Sequence, residues 1–374
     1  MINALRSLLY SLIQLVFKNT PVPAPLDTTG IHRVLILRYD RLGDMVVTLP
    51  MIDILREYLP HATIDVLASP KNSELIRNDG RINNIYEWDG RLTSLPVLRN
   101  VLRAKHYDAV YCAVFFKLSA AGMLVNYLVG DTPVKIMQGN AAPEKLAQYH
   151  TWFNMMIDIN ASNQPMVQTL AEFAATSLGI DTTTGRLFNR ERFKLPVSTK
   201  RKEVREQYGI PDSATCLFYN LSAGMPYREM SYEKNKQIVH YILNTYPDIY
   251  LLLNAVGAMR AVAERLSELS SRVHLPDADI SLQKMMDAVH AADIVVTPDT
   301  SITHFATAHR KPAIVLCTPI SSSAQWLPFN VPYRALFSEH DEGIEAIAAD
   351  AVCSAFDDLV NEVANPLRKV EKFT

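Results

Sequence analysis

Short runs of β-branched and leucine side chains, each followed by a longer stretch with helical spacing, recur through this chain and constrain its fold more than any other feature. Val34-Leu35-Ile36-Leu37 is the first. Such a run has no polar face, so it suits a strand covered on both sides, as in parallel sheets whose crossovers are helices. A helix is expected from about Met45 to Tyr58, closed by Pro60. The strand Ala62–Leu67, a short helix Ser73–Asn78, the strand Ile85–Trp88, a helix Leu95–Lys105 and the strand Asp108–Val114 follow. This βαβα rhythm predicts a doubly wound parallel sheet.

The stretch from about Asn140 to Gly179 lacks strand signals and reads as largely helical. Leu187–Tyr208 is charged and proline-punctuated, a passage between domains. The rhythm then restarts: strands Thr215–Asn220, Ile249–Leu253, Val273–Leu275, Asp293–Thr297 and Pro312–Leu316, helices Tyr232–Tyr246, Ala261–Ser270 and Leu282–Ala291, and a last helix Ile347–Val363. At 374 residues the chain exceeds what one core usually serves. We therefore expect two α/β Rossmann-like domains, 30–185 and 205–345, facing a central cleft. An apolar segment and proline-rich linker (1–25) precede them, and a helix with a tail (346–374) follows.

A formal net charge of −2 gives no basic excess of the kind nucleic-acid binders carry. Cys112, Cys216, Cys317 and Cys353 are scattered without metal-ligand spacing and read as buried free thiols. The run Ser7–Phe17 is strongly apolar and flanked by Arg6 and Lys18. It is about half the length that spans a bilayer, and no small-residue cleavage site follows it. Two readings stand: a helix lying on a membrane surface, or one packed on the protein itself. The expected location is the cytoplasm, with peripheral contact to the inner membrane through residues 1–18 under the first reading.

In doubly wound sheets ligands sit beyond the carboxyl ends of strands, at helix N-termini. Three segments fall there. Arg38-Tyr39-Asp40-Arg41-Leu42-Gly43-Asp44 follows the first strand; Gly43 would permit a sharp turn, and Asp44 stands where a helix begins. Asp44 either caps that helix or removes a proton from an attacking hydroxyl, and Asp40 is a rival for the second role. Pro298-Asp299-Thr300-Ser301-Ile302-Thr303-His304 follows a later strand; backbone N–H groups and hydroxyls at such a helix start can hold a diphosphate. Asp299 would accept backbone N–H groups and fix the loop, while His304 either faces the phosphates or is a half-buried structural histidine. Ser222-Ala223-Gly224-Met225-Pro226-Tyr227-Arg228 could bring backbone donors and a guanidinium to the same anion, or be a plain surface loop. Asp277-Ala278-Asp279 has the DxD spacing of some metal sites but reads as a capped turn. No GxGxxG, Walker lysine, HExxH or GxSxG is present.

Arg38-x-Asp40-x-Leu42-Gly43-Asp44, then Thr48-Leu49-Pro50 and Tyr58-Leu59-Pro60-His61-Ala62-x-Ile64-Asp65, resembles the start of glycosyltransferase family nine, which contains the ADP-heptose:lipopolysaccharide heptosyltransferases. Val295–His304 and Lys311–Leu316 resemble that family's second hallmark. The resemblance implies a GT-B architecture, with the acceptor on the N-terminal domain and the nucleotide sugar on the C-terminal one. It also implies inverting, metal-independent transfer without a cofactor, with Asp44 as general base. Arg38, Asp40, Arg41 and Gly43 become acceptor-side candidates. Ser222, Ala223, Gly224, Arg228, Asp299, Thr300, Ser301 and His304 become nucleotide-sugar candidates. The implied substrates are ADP-heptose and a lipid-A-core glycan; another nucleotide sugar, or non-catalytic binding, are the alternatives. Where family members carry a glutamate that meets the nucleotide ribose, this chain has Val256-Gly257-Ala258-Met259-Arg260, with Glu264 only a weak substitute.

Overall fold

The structure, a computed structural model, describes residues 19–115, 118–139, 150–159, 164–182, 197–278, 280–319, 324–339 and 343–364, with the single residues 187, 193 and 195. The apolar run of residues 7–17 and Asp279 lie outside the described residues. The chain divides into two compact units, Met1–Phe193 and Lys194–Thr374.

The first unit is built on six parallel strands, β1 (Arg33–Arg38), β2 (Thr63–Ala68), β3 (Asn84–Glu87), β4 (Ala109–Cys112), β5 (Val134–Gln138) and β6 (Met155–Ile157). Their order is β3-β2-β1-β4-β5-β6. Helices α1 (Leu42–Tyr58), α2 (Pro70–Ile76), α3 (Leu95–Arg103), α4 (Leu118–Val129) and α5 (Met166–Ser177) cover the sheet. β1 is buried from its second residue onward, as a strand covered on both faces must be. One core joins Leu35, Leu37 and Leu67 of the sheet to Leu98 and Leu102 of α3 and Leu124 and Leu128 of α4. The proline-rich segment is pinned to this unit: Val22 N–H donates to the Asn154 carbonyl and Leu26 N–H to that of Ser177, each at 2.7 Å.

The second unit repeats the plan with β7 (Thr215–Asn220), β8 (Ile249–Asn254), β9 (Val273–His274), β10 (Ile294–Pro298), β11 (Ala313–Cys317) and β12 (Tyr333–Phe337), in the order β12-β11-β10-β7-β8-β9. Its helices are α6 (Arg201–Gln207), α7 (Tyr232–Thr245), α8 (Met259–Ser267), α9 (Leu282–Ala291), α10 (Ser301–Ala308) and α11 (Ala349–Ala364). Val352, Phe356 and Leu359 of α11 enter the same core as Ile238 of α7 and Leu251 of β8. Each unit therefore shows the 3-2-1-4-5-6 strand order of a Rossmann fold, with its direction reversing between β1 and β4 and between β7 and β10.

Three strands correct the sequence reading. β5 escapes it because Lys135 interrupts the apolar run. That lysine is nonetheless buried, its Nζ donating to Asn19 Oδ1 (2.8 Å) and the Thr132 carbonyl (3.0 Å). β6 lies inside the stretch expected to be helical and is only three residues long. β12 is a half-exposed outer strand whose Arg334 breaks the pattern. All four cysteines are free and buried.

Candidate functional site

The strand-order reversal in each unit is where the singled-out residues collect. In the first unit β1 ends at Arg38, a guanidinium only 2% exposed. Its Nε donates to the Asp44 carbonyl (2.8 Å) and one terminal nitrogen to Asp44 Oδ1 (3.2 Å). The other nitrogen donates to the Ala113 carbonyl just past β4 and pairs with Asp40 Oδ2 at 3.3 Å. Arg38 thus ties β1, β4 and two carboxylates together as a buried clamp.

Asp44 stands in the first turn of its helix and takes part in a capping box there. Helix α1 starts at Leu42, and Asp44, its third residue, reaches back to accept the Arg41 N–H at 3.3 Å. Gly43 accordingly lies in the first helical turn and not in a sharp turn ahead of it. Thr48 Oγ1 donates to the Asp44 carbonyl (2.7 Å), which stiffens the same turn. Each Asp44 carboxylate oxygen therefore has a donor, one of them a charged guanidinium.

Asp40 is arranged differently. Its Oδ2 meets Arg38, but its buried Oδ1 has no hydrogen-bond partner. Burial pushes its carboxyl up to about 6, Arg38 pulls against this, and Asp44 adds to the rise. The loop carrying it is held from α2, where Asn72 Nδ2 donates to the Arg38 carbonyl (2.9 Å) and, from the residue just before the helix, Ser69 Oγ to that of Asp40 (3.1 Å). The ring of Tyr39 meets Trp88 edge-on at 5.0 Å, closing this end of the sheet toward β3.

In the second unit the organising side chain is Asn220, the last residue of β7. Its Nδ2 donates to the Ser222 carbonyl (3.0 Å) and Thr297 Oγ1 (3.0 Å), and its Oδ1 accepts from Asn254 Nδ2 (2.8 Å) and Ser222 N–H (3.3 Å). The loop after β7 is thereby joined to β8 and β10. Ser222 Oγ donates to the Val256 carbonyl (3.2 Å) and accepts the Val256 N–H (2.8 Å), while Ala223 N–H donates to Glu229 (3.2 Å). Gly224 has φ +70°, a conformation that favours glycine.

Thr300 caps α10: its Oγ1 accepts the Ile302 N–H at 3.3 Å, leaving Ser301 as the first helical residue. Asp299 pairs with Arg228, which donates to the Asp299 carbonyl (3.0 Å) and stands 3.8 Å from its carboxylate. Arg228 is thus drawn to the end of β10 and is not a loose surface side chain; its buried Nε has no hydrogen-bond partner. His304 is buried, its ring edge-on to Trp326 at 5.8 Å. Glu264 is exposed and engaged by Arg260 at 3.0 Å.

The structure therefore brings Arg38, Asp40, Arg41, Gly43 and Asp44 to the β1/β4 reversal. It brings Ser222, Ala223, Gly224, Arg228, Asp299, Thr300, Ser301 and His304 to the β7/β10 reversal. Sequence reasoning missed Asn72, Asn220, Asn254 and Thr297. The signal was there: Asn220 and Asn254 each end a buried apolar run, and they pair directly in register. Among the described residues, no group of three or more His, Cys, Asp or Glu side chains is placed to hold a metal.

Comparisons with solved structures show which fold this chain shares. A glycosyl transferase family 9 structure from Veillonella parvula is 14% identical, covers 90% of this chain and 99% of its own, and has a TM-score of 0.73. The E. coli heptosyltransferase WaaC with ADP is 19% identical over 89% of this chain and 99% of its own, at TM-score 0.68. E. coli ADP-heptose lps heptosyltransferase II is 15% identical over 89% and 99%, at TM-score 0.67. The fold is accordingly the GT-B fold of those structures. A search of curated proteins found no match. The family model "Glycosyltransferase family 9 (heptosyltransferase)" matches residues 97–345, beginning beyond the Arg38–Asp44 segment and including all of β7 to β12. The chain belongs to glycosyltransferase family 9.

Proposed function

We propose that this glycosyltransferase moves a heptose from ADP-heptose to a sugar of a lipid-A-linked core glycan, inverting the anomeric centre and using neither metal nor cofactor. The observation that carries the reading is the paired construction of the two reversals. One presents carboxylates beside a buried guanidinium, and the other a capped helix start beside Arg228.

In this mechanism the acceptor belongs to the first unit and the nucleotide sugar to the second. Asp44 takes the proton of the acceptor hydroxyl as its oxygen bonds to the anomeric carbon. The bond from that carbon to the diphosphate oxygen breaks on the opposite face, and ADP departs with the electron pair. Arg228 and the α10 N-terminus, with the hydroxyls of Thr300 and Ser301, oppose the charge that develops on the diphosphate. Residues 1–18 hold the protein at the membrane that carries the acceptor.

A different nucleotide sugar is the second reading, and Glu264 favours it: with Arg260 on its carboxylate, it is a weaker ribose partner than a free glutamate would be. Incubation with ADP-heptose and truncated lipooligosaccharide, beside a panel of ADP- and UDP-hexoses, separates the two. The heptose reading expects acceptor-dependent ADP release and a product of inverted anomeric configuration. Turnover with another donor alone would overturn it, and silence with every donor would leave binding without catalysis.

A further inference from the structure

The outer surface of the helix layer formed by α3 and α4 is unusual for a folded unit. Leu92 is 79% exposed and Val97 69%, and Val101, Met123 and Tyr127 are exposed as well. Val97 and Val101 lie one turn apart on α3, and Met123 and Tyr127 one turn apart on α4, so these are two stripes and not scattered single residues. Arg99 and Arg103 join the helices. Arg99 lies over the Tyr127 ring at 5.3 Å, and both guanidiniums donate to the Tyr127 carbonyl, at 3.2 and 3.3 Å.

Among the described residues, basic side chains predominate on this surface. Residues 90–107 contain Arg91, Arg99, Arg103 and Lys105 and no carboxylate, and Leu118–Val129 contain no charged residue. Among the described residues, acidic side chains stand at its margins, Asp89 beside Arg91, Asp131 beside Arg103, and Asp108 at the foot of the segment. The apolar run of residues 7–17 joins the described chain at Asn19, whose side chain donates to Asn126 of α4 (3.3 Å) and to the Thr151 carbonyl (2.7 Å). At its other end the surface reaches the carboxylate site: Leu92 follows β3, and Trp88, which meets Tyr39, donates its Nε1–H to the Arg91 carbonyl at 3.1 Å.

We propose that the surface from Leu92 along α3 to Met123 and Tyr127 of α4 docks on an anionic lipid bilayer, and that a lipid-linked acceptor reaches the Arg38–Asp44 site along its Leu92–Trp88 edge. Exposed apolar side chains interleaved with arginines suit such an interface, since the former enter the acyl boundary and the latter meet anionic headgroups. The second half of the proposal rests on the acceptor reading above; the docking itself does not.

Flotation of the full chain with vesicles of phosphatidylcholine, and of equal parts phosphatidylcholine and phosphatidylglycerol, tests it. Wild type should float with the anionic vesicles and much less with the neutral ones. Val97→Glu with Val101→Glu should lower anionic binding by about tenfold or more, and Arg91→Glu by several-fold. These positions are exposed, so melting and transfer to a lipid-free acceptor should stay at wild-type values. Loss of vesicle binding in a protein without transferase activity would keep the docking and remove the acceptor reading. Equal flotation of the double variant and wild type would overturn the proposal, as would equal binding to neutral vesicles. A wild-type dimer that the double variant converts to monomer, with vesicle binding unchanged, would assign the face to a second copy and overturn it too.

Discussion

Asp40 and Asp44 share one guanidinium but not one environment, and the difference is testable. Asp44 has a donor on each oxygen, whereas Asp40 has a buried oxygen without one and a carboxyl raised to about 6. A carboxyl raised on folding contributes stability that is fully present below its unfolded value, near 3.8, and is lost as pH rises through about 6. Asp40→Asn, which keeps the group neutral, should therefore melt like wild type near pH 4 and be more stable by about 2–3 kcal/mol at pH 8. Urea unfolding at the two pH values measures this; a variant less stable at pH 8 would show that the Arg38 pair outweighs the desolvation. In the second unit, Asn220→Ala removes the hub of five hydrogen bonds in a buried setting. It should cost about 1–3 kcal/mol in the same assay.

At the scale of elements, the loop carrying Tyr227 and Arg228 is backed by Gly343, whose φ is +76° and where a side-chain Cβ would collide with the Tyr227 carbonyl oxygen. Gly343→Ala therefore has both a strained backbone and a backbone clash, and the loop must move to relieve it. A lower melting temperature and weaker ADP binding by calorimetry are expected. The same scale shows what is legible in the sequence. Strands buried on both faces, such as β1, β7 and β10, announce themselves, and so do the segments at their carboxyl ends. β5, β6 and β12 do not, because a buried lysine satisfied by oxygen acceptors, a three-residue strand and a half-exposed outer strand carry no such pattern. The candidate residues are legible as positions but not as partners. That Arg38 is a clamp, that Asp44 is the third residue of a helix, and that Arg228 pairs with Asp299 depend on contacts the linear pattern does not encode, two of them between segments far apart in sequence.

Over the whole molecule, two cores of the same strand order divide the proposed work, so ligand effects should divide as well. ADP binding to the folded second unit should raise the melting temperature by linkage. Arg228→Ala with Thr300→Val should abolish that rise, while Asp44→Asn should leave it intact. Loss of the ADP shift in Asp44→Asn would contradict the division of roles.

The most direct test of the central claim is acceptor-dependent ADP release from ADP-heptose by wild type and Asp44→Asn at saturating substrates. The account predicts a fall in kcat of about 10²–10⁴-fold in the variant, with ADP affinity unchanged. A variant that turns over at the wild-type rate would remove Asp44 as the base and, with it, the mechanism proposed for this chain.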